Sequence, residues 1–289
     1  MLEGPESPRS VYTSLSCSPP MLDPGTQSIL HSFLSERDQE RALFSQLTQQ
    51  TIATRGFIDP GEVLAGEDDE VPPMLSVDDY RVAFGEDWQL SQFWSAASFG
   101  KPWELFWASS LSLYSTAFAT RLAQSIRSIT RPSDNIAFLC CPTAFVAFQH
   151  EYSSKNARLL EFDKRFSVLD PKRFIPYDLD EPDDFHESLR GTVDVAVVDP
   201  PFLNEVTNKN LATTLRQILN PKRGKLVMIT STSVENVLDE VYSQPPLGAL
   251  RRAVLEVEHG QLANDFACWG SWDGAERFGS LDELDLTLS

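Results

Sequence analysis

Four consecutive residues, Asp199-Pro200-Pro201-Phe202, combine a carboxylate, two rigid prolines and an aromatic ring. They follow a short apolar, β-branched run at 193–198, which is typical of a strand buried inside a sheet. Because proline has a fixed φ and no N–H for a neighbouring strand, the pair ends the strand at its carboxyl edge. Ligands of open α/β sheets bind at that edge, so a carboxylate here can contact a substrate. A strand that runs into a tight Pro-Pro loop with an N-terminal helix cap is the competing interpretation.

The same four residues resemble the (Asp/Asn)-Pro-Pro-(Tyr/Phe) signature of methyltransferases that use S-adenosylmethionine to methylate amino groups. The resemblance implies that the rigid turn points the Asp199 carboxylate and a proline carbonyl at the nitrogen that is methylated. It also implies that the Phe202 ring packs against that nitrogen and offers a π face near the cationic methyl donor. Catalytic roles are therefore expected for Asp199, Pro200, Pro201 and Phe202.

Apolar runs alternate with helical stretches after residue 134, and this alternation predicts the sheet that carries the turn. Strands are predicted at 135–141, 158–163, 174–178, 193–198, 225–230, 253–258 and 266–272. Helices are predicted at about 116–129, 142–152, 211–219 and 231–242. Only a short segment joins the last two strands, so they should pair antiparallel. The predicted fold class is α/β, with a mostly parallel, doubly wound, seven-stranded sheet that ends in a C-terminal antiparallel hairpin.

The two ends of the chain differ in composition from this α/β part. Residues 1–26 are rich in proline and serine and lack a periodic apolar face, which predicts a disordered leader. Apolar residues at helical spacing, followed by an acidic run, predict an N-terminal helical extension and an acidic, solvated linker over 27–80. Packing of that helix on the main domain is favoured over a role in docking a partner. The domain itself is expected over 81–279, and 280–289 is expected to be an acidic tail.

Charge limits the classes of partner. The 289 residues include 24 Lys and Arg against 42 Asp and Glu, which gives a formal net charge of -18. Such a surface repels phosphate backbones, so a basic protein is expected as the partner rather than nucleic acid. The four cysteines and four histidines show no metal-ligand spacing, so no metal is expected. No run of membrane-spanning length and no signal sequence is seen, so a cytosolic protein without membrane contact is expected.

Four separated stretches resemble one family when they are taken in order. They are Asp-Trp-Gln-Leu-Ser-Gln-Phe-Trp at 87–94, Leu-Glu-Phe-Asp-Lys-Arg-Phe at 160–166, the 199–202 turn, and Leu-Ala-Asn-Asp-Phe at 262–266. Together they closely resemble the eukaryotic lysine methyltransferases of translation elongation factor 1-alpha, a family first classed as N6-adenine DNA methyltransferases. The resemblance covers residues 27–278 and suggests a fungal-type member. It implies a Rossmann-like class I methyltransferase fold, S-adenosylmethionine as the cofactor and elongation factor 1-alpha as the protein substrate. A monomer is expected.

The resemblance also implies where the cofactor binds. Glu161, at the end of the second strand, would accept both ribose hydroxyls, and Asp163 is a weaker candidate beside it. Without the family context, Glu161 would be interpreted as a solvated acid at a strand end. Asp178 would lie near the adenine amino group, although several acids follow it. Cys141 belongs to the loop after the first strand, which replaces the glycine-rich turn of many cofactor-binding folds.

Aromatic residues would complete the site. Trp88, Phe93 and Trp94 are implied to form part of a wall beside cofactor and substrate, and Tyr114 is a further cofactor-binding candidate. Asn264 and Phe266 are implied to stabilise the closing hairpin rather than to bind a ligand.

One segment departs from the family pattern. The family continues its aromatic stretch as Gln-Phe-Trp-Tyr-Ser, whereas residues 95–113 separate Trp94 from Tyr114 in this chain. We hypothesise that these 19 residues are a lineage-specific insertion or an untrimmed intron. Transcript reads that join the Trp94 codon directly to the Tyr114 codon would show that the segment is not translated.

Three functions fit these observations. The main hypothesis is a lysine methyltransferase of elongation factor 1-alpha. The first alternative is an N6-adenine methyltransferase of DNA or RNA, since the same turn can hold an exocyclic amine; it would need a basic groove. The second is a catalytically inactive interaction protein that keeps the fold while the insertion blocks its pocket.

Overall fold

The computed structural model describes residues 74–83, 114–201, 204–245, 247–258 and 265–280, together with Gln49. Several predictions concern residues outside these ranges and stay predictions. They are the leader at 1–26, the N-terminal helix, the aromatic wall of Trp88, Phe93 and Trp94, the insertion at 95–113, Phe202, Asn264 and the tail at 281–289.

Seven strands form one sheet. They are β1 Ile136–Leu139, β2 Ala157–Glu161, β3 Phe174–Pro176, β4 Val195–Val198, β5 Lys225–Ser231, β6 Arg251–Arg252 and β7 Phe266–Gly270. Their order is β3-β2-β1-β4-β5-β7-β6, in which β1 to β5 are parallel and β7 runs antiparallel to both β5 and β6. This is the predicted Rossmann-like arrangement, and the seven-stranded sheet with its closing hairpin is confirmed.

Helices cover both faces of the sheet. They are α1 Val77–Ala83, α2 Thr116–Ser128, α3 Pro142–Tyr152, α4 Glu205–Ile218 and α5 Glu235–Tyr242. Side chains alternate along β4, so that Val195 and Val197 enter the core beneath α1 to α3, whereas Ala196 and Val198 enter the core beneath α4 and α5. No helix in the described part of the chain is long and apolar enough to cross a membrane.

The carboxyl ends of β1 and β4 lie side by side, with Leu139 paired to Val198. The chain passes from β1 to β2 on one side of β1 and later returns to β4 on the other side. A crevice for ligands opens where the strand order reverses in this way. The residues that directly follow the two strands, Cys140 and Asp199, therefore lie at this crevice. The Asp199 N–H donates to the Leu139 carbonyl at 3.3 Å and fixes the backbone there.

The predicted strand at 253–258 is wrong, because only Arg251–Arg252 pair as β6. The Ala253 N–H still donates to Cys268 at 2.8 Å, but the N–H groups of Val254 and Leu255 donate to carbonyls at 276 and 278. The chain thus leaves β7 and follows a short 3₁₀ segment. Gly279 permits this approach, since a Cβ at its position would lie 2.6 Å from the Leu255 Cβ and its φ is +86°.

One helix begins earlier than predicted, and another was not predicted. Helix α4 begins at Glu205 rather than near 211, because the Asn204 side chain accepts the Thr207 N–H at 2.8 Å and caps the helix. Helix α1 occupies the end of the stretch that was interpreted as an acidic linker. Its acids face solvent, whereas Val77 and Tyr80 are buried against α2 and α3.

Candidate active site

Three carboxylates lie at the carboxyl ends of neighbouring strands, and their charges act on one thiol, that of Cys140. Glu161 ends β2, Asp178 follows β3, and Asp199 follows β4. Burial raises the pKa of the Cys140 thiol well above its usual value, and the negative charges of Glu161, Asp199 and Asp178 raise it further. Glu161 ends β2 and Asp199 follows β4, the two strands that flank β1, whereas Asp178 follows β3, one strand further out in the sheet. The structure therefore brings these three predicted acids to one crevice, which favours a positively charged ligand.

Glu161 is a buried carboxylate with one oxygen left over. Glu161 is 5% exposed, and its Oε1 accepts the N–H groups of Phe162 at 2.9 Å and Asp163 at 3.4 Å. Oε2 is buried and has no hydrogen-bond partner among the described residues. Burial raises the pKa of Glu161 to about 7, against the lowering effect of the two backbone donors. A buried acceptor without a donor is costly, so this oxygen suits a ligand that brings hydroxyl groups.

Asp199 has a donor within the protein. Its Oδ2 accepts the Tyr114 hydroxyl at 2.5 Å, and both residues are buried, at 5% and 1% exposed. The Tyr114 ring packs edge-on against Phe118, with the ring centroids 4.8 Å apart. Tyr114 was predicted among the cofactor-binding residues, and the structure places its hydroxyl on the carboxylate of the motif. The contact joins residues that are 85 positions apart, and no local sequence signal predicts it.

Glu258 holds the backbone next to Tyr114. Its carbonyl accepts the Ser115 N–H at 3.2 Å, and its Oε2 accepts the Ser115 hydroxyl at 3.0 Å. Its Oε1 accepts from Arg121 of α2 at 2.7 Å. Sequence analysis assigned no role to Glu258 or Arg121, since only the fold brings them together.

The loop after β1 contains two adjacent cysteines in an uncommon conformation. Cys140 has a φ of +57°, a left-handed value that glycine adopts most easily. The Cys141 thiol donates to the Val197 carbonyl at 3.3 Å and so ties this loop to β4. The loop thus makes the sharp turn expected at a cofactor site without a glycine.

Asp163 and Asp178 differ from Glu161 in their local partners. Asp163 accepts the Arg165 N–H at 3.0 Å at the start of a 3₁₀ helix and forms an ion pair with the Arg165 guanidinium, whose Nε lies 2.8 Å from Oδ2. Asp178 is half-buried and its Oδ1 accepts the Asp180 N–H at 2.9 Å. Asp163 is therefore engaged by its own segment.

Tyr80 was missed by sequence analysis because it lies in the stretch interpreted as a linker. It is buried, is hydrogen-bonded to Thr143 at the start of α3, and has its pKa raised by burial and by the charge of Glu161. Helix α1 thus reaches the same crevice. The signal was the helical spacing of Val77 and Tyr80 after Ser76, whose hydroxyl accepts the Asp79 N–H at 3.1 Å.

Comparison with known proteins gives consistent matches. Residues 86–274 match the family described as "Probable N6-adenine methyltransferase". Protein-lysine N-methyltransferase EFM5 of Saccharomyces cerevisiae is 31% identical over 206 residues, which cover 66% of this chain and 73% of the relative. EEF1A lysine methyltransferase 1 of Homo sapiens is 27% identical over 191 residues, or 65% and 76% of the two chains. Among solved structures, a TehB-like SAM-dependent methyltransferase of Corynebacterium glutamicum is similar at a TM-score of 0.37 and 13% identity, over 52% of this chain and 85% of that chain.

Proposed function

The chain belongs to the family described as "Probable N6-adenine methyltransferase", and from this membership we propose that it is an S-adenosylmethionine-dependent protein-lysine N-methyltransferase that acts on translation elongation factor 1-alpha. One observation carries the proposal: two buried carboxylates, Glu161 and Asp199, lie at the same edge of the sheet, and Oε2 of Glu161 has no donor among the described residues. The names of the yeast and human relatives support lysine as the acceptor, and the human name supports the elongation factor as the substrate.

The crevice fits S-adenosylmethionine by its charge and by its orphaned acceptor. When bound, this cofactor supplies an electrophilic methyl group on a positively charged sulfur. Glu161 would accept the ribose hydroxyls through Oε2, to which no residue in the described part of the chain donates. Asp178 would lie at the adenine end. The acids around Cys140 would favour the sulfonium charge.

Asp199 would hold the lysine amine and orient its lone pair. A lysine near its usual pKa of about 10.4 is protonated at neutral pH and cannot attack. The negative charge of Asp199 alone raises that pKa further, so the role of Asp199 is orientation and the proton leaves to water. The methyl group would pass from the cofactor sulfur to the amine nitrogen that Asp199 holds, and one proton would be released per methyl group. Alignment supplies most of the acceleration, and Pro200 and Pro201 keep the turn rigid for it.

An acidic chain is matched to a basic protein substrate. Its net charge of -18 opposes the approach of DNA or RNA, although the family description names adenine. We therefore place protein methylation ahead of nucleic-acid methylation. We propose a monomer as the active form. The reaction would take place in the cytoplasm, where elongation factors work.

The deciding experiment combines cofactor binding with methyl transfer. Purified protein is titrated with S-adenosylmethionine in a calorimeter, and labelled methyl transfer is then measured on purified elongation factor 1-alpha and on DNA. We expect saturable binding and labelling of the elongation factor alone. Asp199→Ala should keep binding and lose transfer, whereas Glu240→Gln, an exposed acid on α5, should behave as wild type. Labelling of DNA instead would establish the first alternative, and absence of cofactor binding would establish the inactive interaction protein.

A further inference from the structure

We propose that Tyr114 is a positioning residue for Asp199, and that Glu258 in turn fixes Tyr114 through Ser115 and Arg121. The inference rests on the proposed function, in which Asp199 holds the methyl acceptor. It adds a second segment of the chain, far from the Asp-Pro-Pro-Phe turn, to the machinery that aligns the reaction.

Tyr114 and Asp199 form a buried pair with the geometry of a strong hydrogen bond. A phenol that donates at 2.5 Å to a carboxylate forms a charge-assisted hydrogen bond, and such bonds are roughly twice as strong as neutral ones. The backbone of Asp199 is already fixed by its bond to Leu139. The Tyr114 hydroxyl therefore restrains the remaining freedom of Asp199, the rotation of its carboxylate. A carboxylate that must direct a lone pair needs this restraint, because a displacement of about 1 Å can cost about 100-fold in rate.

Tyr114 itself is held by its ring contact and by the helix cap that follows it. Its ring packs against Phe118, which is fully buried in the first turn of α2. Ser115 caps the same helix by accepting the Phe118 N–H at 3.1 Å. The distance from the helix start to Asp199 is thus set by a cap and by a ring contact, and the hydroxyl reaches the carboxylate without a flexible linker.

Glu258, which lies 143 residues away from Ser115 in the sequence, forms a hydrogen bond with it. Its carbonyl and Oε2 both accept hydrogen bonds from Ser115, and its Oε1 accepts one from Arg121 in the second turn of α2. The Glu258 and Arg121 side chains are 51% and 39% exposed, and a single exposed ion pair contributes little stability. Glu258 thus offers three acceptors to the start of α2 although these contacts add little stability. Their role is better explained by the position of Tyr114, the residue that precedes Ser115.

The central test separates position from folding. Tyr114→Phe removes one hydroxyl and keeps the ring on Phe118. We expect kcat for the elongation factor to fall about 10- to 100-fold, while the Kd for S-adenosylmethionine stays near the wild-type value. Tyr242→Phe is the matched control, since Tyr242 is also fully buried and its hydroxyl donates to Asn208 at 3.1 Å. It should lose comparable stability and keep its kcat.

Glu258 is tested by a double-mutant cycle. Glu258→Ala should lower kcat several-fold and Glu256→Gln, an exposed neighbour on the same segment, should not. If Glu258 acts through Tyr114, adding Glu258→Ala to Tyr114→Phe should cost little more than Tyr114→Phe alone. Independent, multiplicative losses would overturn this link, and a Tyr114→Phe variant with wild-type kcat would overturn the inference while leaving the proposed function intact. A wild-type chain that transfers no methyl group would overturn both.

Discussion

The two carboxylates of the site are prepared in opposite ways. Glu161 keeps an oxygen to which none of the residues that the structure describes donates, and its pKa is raised, so its burial is compensated only when a ligand arrives. Asp199 is as deeply buried, yet it already accepts a hydrogen bond from Tyr114. Glu161, on the proposed cofactor side, is therefore suited to binding a ligand, and its burial destabilises the empty protein. Asp199, on the proposed acceptor side, is suited to orienting a ligand, because the fold already fixes its carboxylate.

The largest expected effect is a crossed kinetic pattern for the two amide variants. Glu161→Gln should weaken S-adenosylmethionine binding about 10- to 100-fold, because hydrogen bonds to a charged group are worth about 1.5–3 kcal/mol, and should leave kcat at saturating cofactor almost unchanged. Asp199→Asn should lower kcat about 100-fold through misalignment and leave cofactor binding almost unchanged. Calorimetry and single-turnover methyl transfer measure the two quantities. If both variants changed the same quantity, the division of labour would be lost.

The two variants Glu161→Gln and Asp199→Asn should also change the stability of the empty protein in opposite directions. At pH 8 the Glu161→Gln variant should be about 1 kcal/mol more stable than wild type, because an ionised buried carboxylate is replaced by a neutral amide. Asp199→Asn should instead be about 1–3 kcal/mol less stable, since it weakens a satisfied charge-assisted bond. Urea unfolding of both variants gives the free energies.

A change of pH supplies the control for this stability difference. The pKa of Glu161 is raised from 4.5 to about 7 on folding, so the unfolded chain binds fewer protons than the folded one between these values. The wild type therefore loses stability as pH rises from about 4.5 to about 7 and is level above that. At pH 5 most of the advantage of Glu161→Gln should be absent. An advantage that persisted at pH 5 would have to come from packing rather than from charge.

Cofactor affinity should depend on pH with the opposite sign. Only the ionised form of Glu161 offers two acceptors to hydroxyl donors, so binding should tighten as pH rises through about 7, by roughly tenfold between pH 6 and pH 8. At pH 6 binding should release a proton, which calorimetry in two buffers of different ionisation enthalpy detects. In Glu161→Gln this dependence should vanish. The same slope in the variant would assign the titration to a group other than Glu161.

The sheet was predictable from sequence because parallel strands are buried on both faces and appear as short apolar runs. The two prolines predicted the abrupt end of β4. The positions of both carboxylates were predicted because they lie at strand ends that match a family pattern. The failed strand at 253–258 shows the limit of this reasoning. Leu255 is buried, as an apolar pattern predicts, but its backbone partner is Phe278 of a later segment rather than β7.

The parts of the site that sequence analysis missed depend on contacts between distant segments. The pairing of Tyr114 with Asp199 and of Ser115 with Glu258 spans 85 and 143 positions, and no local pattern encodes either. The positive φ of Cys140 was hidden as well, because side-chain type rarely reveals a left-handed backbone outside glycine and asparagine. Sequence thus supplied the reactive groups, while the fold decided which of them are held and by what.

The smallest expected effect concerns Asp163, which lies two residues after Glu161. Asp163 was a cofactor-binding candidate from sequence, yet its carboxylate caps a 3₁₀ helix and pairs with Arg165. Asp163→Asn keeps the cap, because asparagine is an equally good N-cap residue, and loses the ion pair to a partly exposed arginine, worth about 0–1 kcal/mol. Cofactor affinity should change less than threefold by this reasoning, against the much larger loss in Glu161→Gln. Parallel titrations of the two variants measure the contrast. A loss in Asp163→Asn as large as that in Glu161→Gln would mean that both acids bind the ribose, and that the hydrogen-bond partners in the empty protein do not decide which carboxylate is available.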